Sequence, residues 1–281
     1  MSAISKIIAG FLFEINGYIP MICSLVALVV ACIISTCYIE PIKKQTKTNK
    51  ESTIKKQLKD IGDGMKFVLR SERLKALMLA TALISSLLSI LVNYRTSLLQ
   101  DINIPTYLMG VISAILSFSS SYGSKKQNEF QKIFTNKSIL AIAFIVSSST
   151  IIAGIFGVKA QSSILTCTII ILAFIITKFA HGMYYTIMDK YFRNFTNKDI
   201  DTKIFAVKNL FINLTSAIMG IMASFLLDKI STAYCMIIVG VVFTILYILT
   251  GKYMKTRVGL KPEEYSKEER KYDELKETQK V

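Results

Sequence analysis

Two side chains do not fit the stretch of sequence that holds them. Lys178 and His181 are the only ionisable residues deep in an apolar run, and with Phe174 and Tyr185 they recur at helical spacing on one face. Placing a charge in hydrocarbon costs about 2.5–3.5 kcal/mol even on insertion scales, so such residues normally face a cavity or a partner. There they could bind an anion or relay protons. Two plainer readings stand beside these: Lys178 reaches the nearer membrane surface along its flexible stem, and His181 satisfies a neighbouring carbonyl.

A second set is polar without being charged. Asn209, Asn213, Ser216, Gly220 and Ser224 share one helical face, as do Ser85, Ser86, Ser89 and Asn93, and Gly110, Ser113, Ser117 and Ser121. In lipid, small and polar residues let helices approach closely and hydrogen-bond, so these stripes predict helix packing or the lining of a path. Arg95, near the end of its run, is an interfacial anchor or the guard of a vestibule. Glu14 and Asp228 mark outer boundaries.

No enzyme signature accompanies these residues. The sequence has no phosphate-binding Gly-rich loop and no Gly-x-Ser-x-Gly elbow, and a single His cannot build a His-rich metal site. It calls for no cofactor and no metal. Cys23, Cys32, Cys37, Cys167 and Cys235 lie in or beside apolar runs without metal-ligand spacing, which predicts buried thiols and no disulfide framework. The sequons at Asn136, Asn194 and Asn213 fall in inner connections or inside a span, where glycosylation is not expected.

The elements that must position these groups are membrane helices. The chain has 281 residues, 52% of them hydrophobic, and its net charge of +15 is concentrated just outside apolar runs. That placement points to anionic lipid and topology, not to nucleic acid. Apart from the short run 1–13, the apolar stretches are Tyr18 to Ile39, Leu74 to Leu99, Thr106 to Tyr122, Ser138 to Val158, Ser163 to Tyr185, Ile204 to Leu227 and Thr232 to Tyr253. Each approaches the roughly 20 residues that cross a bilayer. Lys43, Lys44, Lys47, Lys50, Lys55, Lys56 and Lys59 crowd the connection after the first full span, and the later connections alternate between basic and nearly uncharged. The positive-inside rule then places this basic loop and the C-terminal tail in the cytoplasm of a multi-pass protein of the cell membrane. Within the loop, Ile54, Leu58, Ile61, Met65 and Val68 predict an amphipathic helix, either on the inner membrane surface or as a solvated linker.

One internal echo relates the two ends of the chain. Ile7, Ala9, Phe11, Leu12 and Glu14 lie over Ile221, Ala223, Phe225, Leu226 and Asp228 at a constant offset, and in both places an outer turn and an apolar span follow. Six spans separate the copies, as in transporters built from two parallel six-helix halves. With the central basic loop, the stretch Tyr94 to Gly110 and the run Gly220 to Asp228, this pattern resembles the major facilitator superfamily. The resemblance implies an all-α, polytopic helical membrane protein. Residues 1–39 would be a remnant of the N-terminal bundle, 40–73 the cytoplasmic loop, 74–253 the complete C-terminal six-helix bundle and 254–281 a charged tail. The first four helices and most of the fifth would be absent. It further implies secondary active transport of a small solute by alternating access, coupled to an ion such as the proton, with the lost helices as a partner and the chain inactive alone. Asn93, Arg95, Lys178, His181, Tyr185, Asn209 and Asn213 are then the expected pathway residues. Where the family carries a Gly-Asp-Arg-Gly-Arg type motif after its eighth helix, this chain has Tyr122, Gly123, Ser124, Lys125 and Lys126. The alternative is a polytopic membrane protein with an assembly or intramembrane enzymatic role.

Overall fold

The computed structural model describes residues 2–37, 53–134, 137–159, 163–195 and 201–255. The first part of the basic loop, the sequon at Asn136 and the charged tail beyond Lys255 lie outside them. Among the described residues there are nine helices and no strand: α1 Ser2–Ile15, α2 Tyr18–Thr36, α3 Thr53–Arg70, α4 Glu72–Asp101, α5 Thr106–Phe134, α6 Ser138–Val158, α7 Ile164–Phe195, α8 Asp201–Leu227 and α9 Thr232–Lys255.

Six of these, α2, α4, α6, α7, α8 and α9, are long and apolar enough to cross a membrane. α5 has 29 residues, but its serines and its charged second half make it more polar than the others. It continues past Tyr122 to Phe134, and α7 past Tyr185 to Phe195. Hydropathy reads the part of a helix inside lipid, whereas Lys, Gln and Glu are good helix formers that carry the same helix into water.

The packing is symmetric. α5 packs on α7 as α8 packs on α4, α6 on α7 as α9 on α4, and α6 and α9 pack on each other. Exchanging α4, α5 and α6 for α7, α8 and α9 therefore leaves the main packed pairs unchanged. Each unit has three helices, an odd number, so the second unit runs in the opposite direction to the first, the pattern of an inverted repeat. α4 is the most buried of the apolar helices, while α2 packs mainly on α1 and has no buried residue, so its Cys23 and Cys32 are exposed and not buried as expected.

Lipid tails are as apolar as leucine, so burial alone does not drive these helices together, and close approach and hydrogen bonds decide the packing. Ser119 Oγ donates to Ile175 O at 2.9 Å and Ser124 Oγ to Gly182 O at 2.8 Å, joining α5 to α7. Tyr94 Oη donates to Ala223 O at 2.8 Å, joining α4 to α8, and Ser149 Oγ lies 2.6 Å from Thr177 Oγ1 between α6 and α7.

Local chemistry sets the ends of α4. Ser71 caps its start, accepting from Leu74 N at 3.2 Å, so the linker helix α3 stops one residue before. At the other end Asn103 adopts φ 56°, the left-handed conformation that closes a helix, while Ile102 N and Ile104 N donate to Leu98 O and Leu99 O, each at 3.1 Å. A β-branched residue is poorly suited to that backbone. Asn103→Val is expected to cost about 1–2 kcal/mol and Asn103→Gly to be neutral or stabilising, read as thermal unfolding in detergent. Equal melting of the two variants contradicts this account of the turn.

α3 lies against the end of the bundle that carries the basic connections. Phe67 and Val68 are buried, Ile61 and Met65 pack on the same core, and Lys203 Nζ of α8 sits 2.9 Å from Asp60 Oδ1 and 3.7 Å from Asp63 Oδ2. Part of its apolar stripe thus covers protein.

Candidate functional site

The site is built outward from the middle of α7. Lys178 is fourteen residues from Ile164 and seventeen from Phe195. At 1.5 Å per residue, that is about 21 Å and about 26 Å from the two helix ends. The apolar stretch ends at Tyr185, only seven residues or about 10 Å from Lys178, and α7 continues from there into water, so both the surface-reaching and the cavity-facing readings of Lys178 stand. Its Nζ lies 3.2 Å from His181 Nδ1, and the His181 ring packs on the Tyr185 ring at 4.8 Å between centroids. Two other partners on α7 hold this face in place. Tyr184 is fully buried, its Oη donating to Thr81 O at 3.0 Å with Ser85 Oγ 3.3 Å away, and Thr177 meets Ser149.

α4 supplies the facing wall. Arg95 lines a narrow gap with Leu88, Leu91, Phe174, Thr177 and Lys178. It also lines a neighbouring cleft of about 260 Å³ shared with Lys6, Gly10, Gly110 and Ser113. That volume is at the low end for small-ligand sites. α1 can form this cleft because two glycines meet. A Cβ on Gly10 would lie 3.0 Å from the Cα of Gly110, so only bare backbone fits there. The approach brings Lys6 Nζ to 2.5 Å from Ser117 Oγ.

The expected pathway residues thus divide into two groups. Arg95, Lys178, His181 and Tyr185 come together between α4 and α7. Asn93 projects from nearly the opposite side of α4 from Arg95, two residues being about 200° apart on a helix. It shares a face with Ser86, while Asn209 and Asn213 sit near Ser216 on α8, and the Ser86 and Ser216 hydroxyls are 3.4 Å apart. All three asparagines are exposed along the α4–α8 seam. Lys6, Thr177 and Tyr184 complete the first group without being singled out by the sequence, together with Ser117 of the α5 stripe. Of the three, only Lys6 offered a signal, as a lone charge in an apolar run.

Tyr184→Phe removes the hydroxyl that ties α7 to α4 and is expected to cost about 0.5–1.5 kcal/mol. Tyr185→Phe, at an exposed position, is expected to change stability little. Melting curves that move equally would contradict this assignment.

Five apolar helices arranged with α5 as two inverted triplets, their polar and cationic side chains turned to the seams of α4, α5, α7 and α8, define a multi-pass helical membrane protein of the transporter class. The family model of the Major Facilitator Superfamily matches residues 129–279, more than half of the chain, and the chain belongs to that family of membrane transporters. Neither a curated protein nor a solved structure matches it.

Proposed function

We propose that this protein is a secondary active carrier. On this reading the bundle α4–α9 rocks against a second bundle, an ion gradient drives a small solute between them, and the basic connections and tail lie in the cytoplasm of a cell-membrane protein. Asn93, Arg95, Lys178, His181, Tyr185, Asn209 and Asn213 line its half of the path.

One observation carries the proposal: the bundle has a helix seated on α5 and an open equivalent on α8. α1 packs on α5 through Gly10, and in the sequence echo Gly10 corresponds to Ser224 of α8. Ser224 is exposed, as are Leu214, Ile218, Ile221, Met222 and Phe225 on that helix. The symmetry of two parallel halves supports a further helix there, and α2, which has no buried residue, supports a neighbour of its own.

Reconstituted alone into proteoliposomes, the chain is expected to show no gradient-driven uptake under either a proton or a sodium gradient. Uptake is expected once helices of a second bundle are joined to it. Uptake by the chain alone, or none with a second bundle present, refutes the proposal.

A further inference from the structure

We infer that Lys6, Arg95, Lys178 and His181 form the binding site for a small anionic solute, one carrying a carboxylate or phosphate group. The inference rests on the carrier reading and adds to it the class of substrate.

Three cations converge from three helices. Arg95 of α4 and Lys178 of α7 line one gap, Arg95 and Lys6 of α1 line the next, and both Arg95 and Lys6 act electrostatically on Lys178. Neither gap is lined by a carboxylate. Among the described residues the ion pairs are Lys126 with Glu129, Lys203 with Asp60 and Asp63, and Lys208 with Asp189, all toward the basic end of the bundle. The central cations therefore have no counter-charge from the described residues. Like charges held together in a medium of low dielectric repel, and an arginine cannot shed its proton to escape. Such charges inside a membrane are kept where a ligand or a path needs them.

The neutral donors agree with the charges. An ammonium donating to His181 Nδ1 leaves the ring proton on Nε2. That Nε2 is buried and has no hydrogen-bond partner, so it offers a donor to an incoming oxygen. Ser113, Thr96 and Thr106 add hydroxyls along the cleft. An anionic group has four or more acceptor sites, and arginine's planar fork presents two parallel N–H donors to it.

The test uses the purified full chain in neutral detergent, with thermal unfolding as the readout and ionic strength held constant with potassium chloride. The probes are inorganic phosphate, lactate and citrate, set against glucose and choline and against detergent-dispersed phosphatidylglycerol. At least one soluble anion is expected to stabilise the protein saturably. Lys178→Met and Arg95→Met are expected to weaken its apparent affinity at least about thirtyfold, as removal of one partner of a buried charge pair does. Lys6→Met, at an exposed position of α1, is expected to weaken it about tenfold and keeps the test decisive should a buried variant fail to fold. The inference is overturned if no soluble anion binds, if the variants bind as the parent does, or if only phosphatidylglycerol stabilises. Binding and uptake of glucose or choline alone would overturn the anion site and leave the carrier reading standing. Anion binding that the variants weaken, without uptake of any solute even with a second bundle, supports the site and refutes the carrier.

Discussion

Gly182→Ala is expected to destabilise the protein by about 1–3 kcal/mol. The sign is the informative part, because in an exposed helix the same exchange stabilises by about 1 kcal/mol. At position 182 a Cβ would run into the backbone carbonyl of Ser120, and across the same seam Gly123 faces the carbonyl of Phe179. Backbone on both sides cannot rotate away as a side chain can, so α5 and α7 must move apart. The hydrogen bond from Ser124 Oγ to Gly182 O would then stretch, and with it the one from Ser119 to Ile175 O. Gly182→Leu is expected to prevent folding. Gly220 is the control: nothing lies within 4 Å of a Cβ there, so Gly220→Ala is expected to leave the isolated chain as stable or more so. Thermal unfolding in detergent separates the cases, and a Gly182→Ala protein that melts above the parent shows the α5–α7 contact to be misassigned.

Gly110→Val is expected to do the reverse, sparing the bundle and disabling its function. A Cβ at 110 lies 2.7 Å from Lys6 O and 3.0 Å from Gly10 Cα, so a branched side chain lifts α1 away from α5. α1 packs mainly on α5 and α2, so the main pairs that hold α4 to α9 together are untouched. What is lost is position. The stacking of Phe11 on Tyr107, 5.9 Å between centroids, opens, and Lys6 moves off Ser117 and out of the cleft. A misplacement of about 1 Å can cost about a hundredfold in a rate that depends on geometry. Uptake by the protein with its second bundle is expected to fall by about that factor, with the melting temperature nearly unchanged. Full uptake in this variant, or collapse of the whole bundle, contradicts the role given to α1.

The contrast between these two glycines shows what the sequence could and could not tell. Apolar length picked out the six helices long and apolar enough to cross a membrane, and it also marked Thr106 to Tyr122 in the more polar α5, but it did not show how far α5 and α7 run beyond those stretches. Lys178 and His181 stood out because charge in hydrocarbon is costly wherever it occurs. Their association with Arg95 and Lys6 did not, since it depends on which helices adjoin, and Lys6 is far away along the chain. The serine and glycine stripes were visible as stripes. Whether a member faces a neighbour, as Ser86 does Ser216, or is exposed, as Asn213 is, follows only from packing.

Cysteine accessibility in intact membranes tests most directly whether the α4–α7 face lines an aqueous path. In a chain with Cys23, Cys32, Cys37 and Cys167 replaced by serine and the buried Cys235 retained, single cysteines are placed at Val92, Tyr185 and Ile245, all exposed in the structure. A charged, water-soluble thiol reagent is expected to label positions 92 and 185, beside Arg95 and His181, and to leave position 245 on α9 unmodified in the lipid. Labelling at 245 with none at 92 and 185 would show the polar face to be dry and the account wrong.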